Sequence, residues 1–155
     1  MSPEAHARLV ELDAVARACR EFYEYATAVL PASPLRLRCQ RLAQAKSELV
    51  AVLALRLPQP APPPVDDAPT AVAATDGLRE RIERALRRAR AGLSTPDPAR
   101  LWDELQRIEA VIAAACAQGG RGGDADSRRE MARLLPLVER CRDEFVPERV
   151  FAQSV

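Results

Sequence analysis

The chain predicts an all-α fold, a four-helix bundle, on three observations. Apolar residues recur three and four apart along four long segments, which places them on one side of a helix. Each of these seams includes a cysteine, a residue type that behaves as a small buried hydrophobe. Aromatic residues make up 4% of the chain, so the predicted core is aliphatic.

The elements follow in order. Ser2 and Pro3 suit an N-cap and a first helical position, with Glu4 in the first turn. The first helix is predicted to about Leu30, with the seam Leu12, Ala16, Cys19, Tyr23, Ala26 and Leu30. Pro31 to Pro34 is a turn, and Ser33-Pro34 repeats the start signal. The second helix runs to about Leu57 on Leu35, Cys39, Leu42, Leu49 and Leu53. So short a connection makes these two an antiparallel hairpin over about 3–57.

Pro58, Pro60, Pro62, Pro63, Pro64 and Pro69 make 58–75 an extended, polyproline-like spacer. A basic amphipathic helix follows over about 76–92, with Leu78, Ile82, Leu86 and Ala89 on its apolar side. Ser94-Thr95-Pro96-Asp97-Pro98 then caps a helix to about Gln118, on Leu101, Leu105, Ile108, Ile112 and Ala115, with Cys116 at the edge. Gly119, Gly120, Gly122 and Gly123 read as a flexible turn. Asp126 or Ser127 is predicted to cap the last helix, on Met131, Leu134, Val138, Cys141 and Phe145, with a kink or break at Pro136. These two helices form a second hairpin over about 97–146. The whole chain reads as one domain. A ~24-residue helix is ~36 Å long, and ~12 polyproline residues reach about as far. A long crossover between two hairpins is the ferritin-like topology.

The segments Cys19-Arg20-Glu21-Phe22-Tyr23-Glu24-Tyr25-Ala26, Leu35 to Leu53, and Leu101-Trp102-Asp103-Glu104-Leu105-Gln106-Arg107-Ile108-Glu109 carry a resemblance. Over most of residues 9–145 the chain resembles a group of bacterial ferritin-like four-helix bundles known as a domain of unknown function. The resemblance implies the fold and lends no activity.

Ferritin-like bundles often hold two irons, using one Glu from each of two helices and a Glu-x-x-His from each of the others. This chain has one histidine, His6, at the start of the first helix. Its nearest approach to the motif is Glu139-x-x-Arg142, and arginine does not ligate cations. Glu21 and Glu24 fall away from the first seam. No metal ligands and no cofactor are predicted.

Two residues break the apolar pattern of the interior. Lys46 is the only lysine and lies on the second seam between Leu42 and Leu49. Glu109 is the one acid in the stretch Ile108 to Ala117. Each admits a catalytic reading, as a base or nucleophile. The favoured reading is a carboxylate at the core edge paired with a cation. The sequence predicts an interior Lys46–Glu109 pair. The cysteines have no CxxC spacing, and Cys39 and Cys116 fall at opposite ends of helices predicted to run parallel. They read as structural thiols.

The basic helix is the main interaction signal. Arg79, Arg81, Arg84, Arg87, Arg88 and Arg90 face only Glu80 and Glu83. A solvated face laced by Glu80–Arg84 and Glu83–Arg87 pairs is the plain reading. A partner-binding basic face is the functional one. The net charge of +1 gives no whole-molecule attraction to nucleic acid, and no aromatic residues are interleaved with the arginines. Trp102 reads as a packing anchor. No signal peptide, membrane span, phosphate loop or Ser-His-Asp set is predicted, and the expected compartment is the cytoplasm. The function expected is therefore non-catalytic: self-association, or binding of an acidic protein partner. The alternatives are a metal-binding or metal-dependent oxidase protein with a degenerate site, and nucleic-acid binding through the arginines.

Overall fold

The computed structural model describes residues 1–57, 77–95 and 97–145. Within them the chain forms helices and no strand: α1 Pro3–Val29, α2 Pro34–Arg56, α3 Leu78–Gly92, α4 Pro98–Arg121 and α5 Ala125–Asp143. The proline-rich spacer and the end of the second hairpin after Phe145 lie outside the described residues.

Serine or aspartate caps start α1, α2, α4 and α5, while α3 starts at Gly77 with no side-chain cap. Ser2 Oγ accepts from the Ala5 N–H and Ser33 Oγ from the Arg36 N–H, each at 3.1 Å, and Asp97 accepts from Arg100 at 3.3 Å. Pro3, Pro34 and Pro98 follow these caps, where the missing N–H costs no intrahelical bond.

The second hairpin departs from expectation in three places. α4 continues through Gly119 and Gly120 to Arg121 instead of stopping at Gln118. A Cβ on Gly119 would stand 2.8 Å from Met131 Cγ, so glycine there lets α4 approach α5 closely. The α5 cap is Asp124, which accepts from the Ser127 N–H at 2.8 Å, and not Asp126 or Ser127. Pro136 lies within α5, which remains one helix. It deprives the Ala132 carbonyl of its partner, but both residues are exposed, so that carbonyl faces water.

Contacts between the chain's ends fix the directions. The Ser2 N–H donates to Asp126 Oδ2 at 2.9 Å, which sets the starts of α1 and α5 side by side. Arg56, at the end of α2, forks onto Glu130 near the start of α5. Arg38, near the start of α2, donates to Glu144 just past α5 at 2.8 Å. So α1 and α5 run one way, and α2 and α4 the other.

α3 packs between α1 and α4. Leu78 begins it beside Leu12 and Cys116, and Arg90 ends it over the Tyr25 ring at 4.1 Å. It therefore climbs alongside α1, covering roughly 22 Å at 1.5 Å per residue. Leu78, Ile82, Ala85, Leu86 and Ala89 are buried and belong to the same core as the other helices. The extra helix is thus a member of the core and not an attachment to it. At the opposite end from Ser2, Trp102 meets Phe145 edge-on at 5.3 Å, with Arg38 over its indole at 5.8 Å.

One turn has no tolerance for a side chain. Gly123 has φ +82°, and a Cβ there would lie 2.7 Å from Glu4 Oε2. That same oxygen accepts from the Asp124 N–H at 2.5 Å. Gly123→Ala is expected to lower stability by about 1–2 kcal/mol, read as a drop in the urea midpoint. An unchanged midpoint would mean that this turn relaxes freely.

Candidate functional site

Two places concentrate polar chemistry, one inside the molecule and one on it. The interior one begins with Tyr23 on α1, Lys46 on α2 and Glu109 on α4, all with no exposed surface. Lys46 Nζ donates to Glu109 Oε1 at 2.7 Å, and Tyr23 OH donates to Glu109 Oε2 at 2.5 Å. Both carboxylate oxygens are thereby engaged. The structure brings the two predicted residues together in the interior, with Glu109 inside the core and not at its boundary. Tyr23 is the member that seam reading missed, because it counts as apolar in a periodicity. Its hydroxyl was the available signal, since a buried phenol needs a partner.

Three of the buried thiols, Cys19, Cys39 and Cys141, are electrostatically coupled to members of this group. Cys141 on α5 and Cys19 on α1 are each electrostatically coupled to both Lys46 and Glu109. The hydrogen bonds tie α1, α2 and α4 at one level, with the α5 thiol electrostatically coupled to them. Burial opposes the charge on Lys46, but the Glu109 carboxylate, through its charge and hydrogen bond, and the Cys19 and Cys141 sulfurs together raise its pKa. Burial, then the Glu109 charge, pushes the Tyr23 phenol well above its ordinary value. Burial also raises Cys19 and Cys39 to about 12, and Cys116 and Cys141 to about 11. Such thiols are protonated and unreactive at neutral pH. Cys116 donates its S–H to the Met131 carbonyl at 3.5 Å.

The donor set does not fit a di-iron centre. Among the described residues, no group of three or more His, Cys, Asp or Glu side chains is placed to hold a metal ion. The buried acids there are Glu109, held by Lys46 and Tyr23, and Glu130, held by Arg56. Glu21 and Glu24 are exposed.

No family model matches the chain, and no curated protein or solved structure matches it.

The surface site is α3. All six predicted arginines, Arg79, Arg81, Arg84, Arg87, Arg88 and Arg90, are exposed. Their pairing differs from expectation. Glu83 accepts from Arg79 at 2.9 Å, one turn earlier in the chain, instead of from Arg87. Glu80 makes no ion pair with Arg84. The α1 flank holds Arg90, which lies on Tyr25, while Arg88 turns to Glu104 of α4 at 3.3 Å. Among the described residues Arg81, Arg84 and Arg87 have no ion-pair partner. Arg107 of α4 was not foreseen here; it reaches the same Glu104 at 3.3 Å. Arg107 lies on the next helix, well beyond Gly92, so no local pattern links it to the basic helix. No described helix is long and apolar enough to cross a membrane.

Proposed function

We propose that this chain is a cytoplasmic, non-catalytic binding module of ferritin-like topology, which holds an acidic protein partner on the arginine face of α3. The topology is supported by two antiparallel hairpins joined by a crossover, with α2 and α4 parallel. The resemblance drawn from the sequence points the same way. The interior polar groups satisfy one another out of reach of solvent, which leaves them a structural role.

One observation carries the functional reading. α3 buries its apolar side completely and presents Arg81, Arg84 and Arg87 to solvent without an ion-pair partner among the described residues. A solvated face usually balances charges of both signs, and this one sets only Glu80 and Glu83 against six exposed arginines. Carboxylates rather than phosphates are favoured because no aromatic side chain stands among these arginines to stack bases.

The test is fluorescence anisotropy with a labelled glutamate-rich helical peptide at about 0.15 M salt, where weak surface attraction is screened. The triple variant Arg81→Glu, Arg84→Glu, Arg87→Glu is expected to weaken binding by at least about tenfold. Equal binding by wild type and variant would sink the proposal. So would a single-stranded RNA that outcompetes the peptide with a steep salt dependence, which would indicate a phosphate-binding surface.

A further inference from the structure

The line where α3 meets α4 is an open groove of about 240 Å³. Ile82, Ala85, Ile108 and Val111 form its floor, and Arg81, Arg84, Arg88 and Arg107 line its rim. Past Arg88 and Glu104 it leads into a second hollow of about 410 Å³, bordered by Arg100. An apolar floor between basic walls is the complement of an amphipathic helix flanked by acids.

One carboxylate already stands in the groove. Glu104 Oε1 accepts from Arg88 Nε, and its Oε2 from Arg107 Nη1, both at 3.3 Å. These are long for bonds between ionised groups, which lie nearer 2.7–2.9 Å. The Arg88 and Arg107 side chains are 57% and 67% exposed, against 18% for Glu104. Each guanidinium has five N–H donors, so most of their capacity is unused. The contact shows that this pair of arginines, one from each helix, accepts a carboxylate between them.

We infer that the α3–α4 groove is the docking site for an acidic amphipathic helix of the protein partner, and that Glu104 is its built-in competitor. This rests on the reading of α3 as a partner-binding helix, and it adds where the partner lies and what tempers its affinity. With the groove empty, Glu104 holds Arg88 and Arg107 and lowers the positive potential. An arriving carboxylate must share or displace it. Removing the charge of Glu104 then strengthens binding, whereas removing an ordinary structural ion pair would not.

The probe is a fluorescein-labelled helical peptide with alanines on one face and glutamates flanking them, beside a scrambled peptide of equal composition. Glu104→Gln keeps the shape and is expected to tighten binding of the patterned peptide about threefold to tenfold. Arg88→Ala with Arg107→Ala is expected to weaken it by about tenfold, and the scrambled peptide is expected to bind less well. Circular dichroism reports whether each variant folds. Should the double arginine variant fail to fold, Glu104→Gln decides alone, because an exposed pair of this kind adds little stability. Unchanged or weaker affinity in Glu104→Gln overturns the groove assignment. If Arg87→Glu, a change outside this groove, still abolishes that binding, the partner sits elsewhere on α3 and the broader proposal survives. Failure of wild type to bind either peptide overturns both.

Discussion

Lys46→Met is expected to lower the folding free energy by about 3–5 kcal/mol. The substitution keeps much of the side chain's volume but removes the ammonium that meets Glu109 at 2.7 Å. A carboxylate with no exposed surface is then left with the Tyr23 hydroxyl alone. Unpaired buried charge is the costly outcome, more than loss of the attraction itself. The triple variant Lys46→Met, Glu109→Leu, Tyr23→Phe removes every member and leaves no orphan. It is expected to recover most of the loss, because apolar replacements of a whole buried network are often neutral or stabilising. Urea denaturation of the two variants checks this. A single variant as stable as wild type would mean that water reaches Glu109, and a triple variant no better than the single would mean that packing, not charge, sets the cost.

Alkaline pH is expected to destabilise the protein steeply. Burial raises the thiols of Cys19 and Cys39 from 9.0 to about 12, and those of Cys116 and Cys141 from 9.0 to about 11. The unfolded chain therefore releases these protons first as pH rises. The stability they contribute is whole below about pH 9 and is lost as pH climbs through 11 to 12. Each thiol held protonated accounts for about 1.4 kcal/mol per pH unit in that window. Tyr23 and Lys46, both raised, act in the same direction at still higher pH. The urea midpoint, followed under reductant from about pH 8 to pH 10.5, is expected to fall throughout the upper half of that range. Cys39→Ala and Cys116→Ala are each expected to flatten the fall by about one proton. A level midpoint across the range would mean that the thiols titrate freely in the folded chain.

The helices were legible because their signals are local. Ser2-Pro3, Ser33-Pro34 and Asp97-Pro98 each place a side-chain acceptor and a donorless residue where a helix starts. The ends of the second hairpin were less legible. Gly119 reads as a breaker in the chain, yet it is helical because α5 presses Met131 against it. Asp124 outcompeted Asp126 and Ser127 as a cap, a choice among neighbours that composition does not rank.

The candidate sites divide along the same line. An isolated lysine and an isolated glutamate on two apolar seams suffice to suggest that they meet, since neither charge is tolerated alone in a core. That Tyr23 takes the second carboxylate oxygen depends on the rotation of α1 about its axis, which periodicity leaves free. Likewise, the arginines of α3 are plain in the sequence, but their division is not. Arg90 settles on Tyr25 and Arg88 on Glu104 because α3 lies between α1 and α4. Arg107 joins the groove for the same reason. By itself the sequence determined which residues are helical and which sides are apolar, because both follow from spacing within a few turns. Only the tertiary structure decided which charges share a carboxylate, because that depends on the register and rotation of helices far apart in the chain.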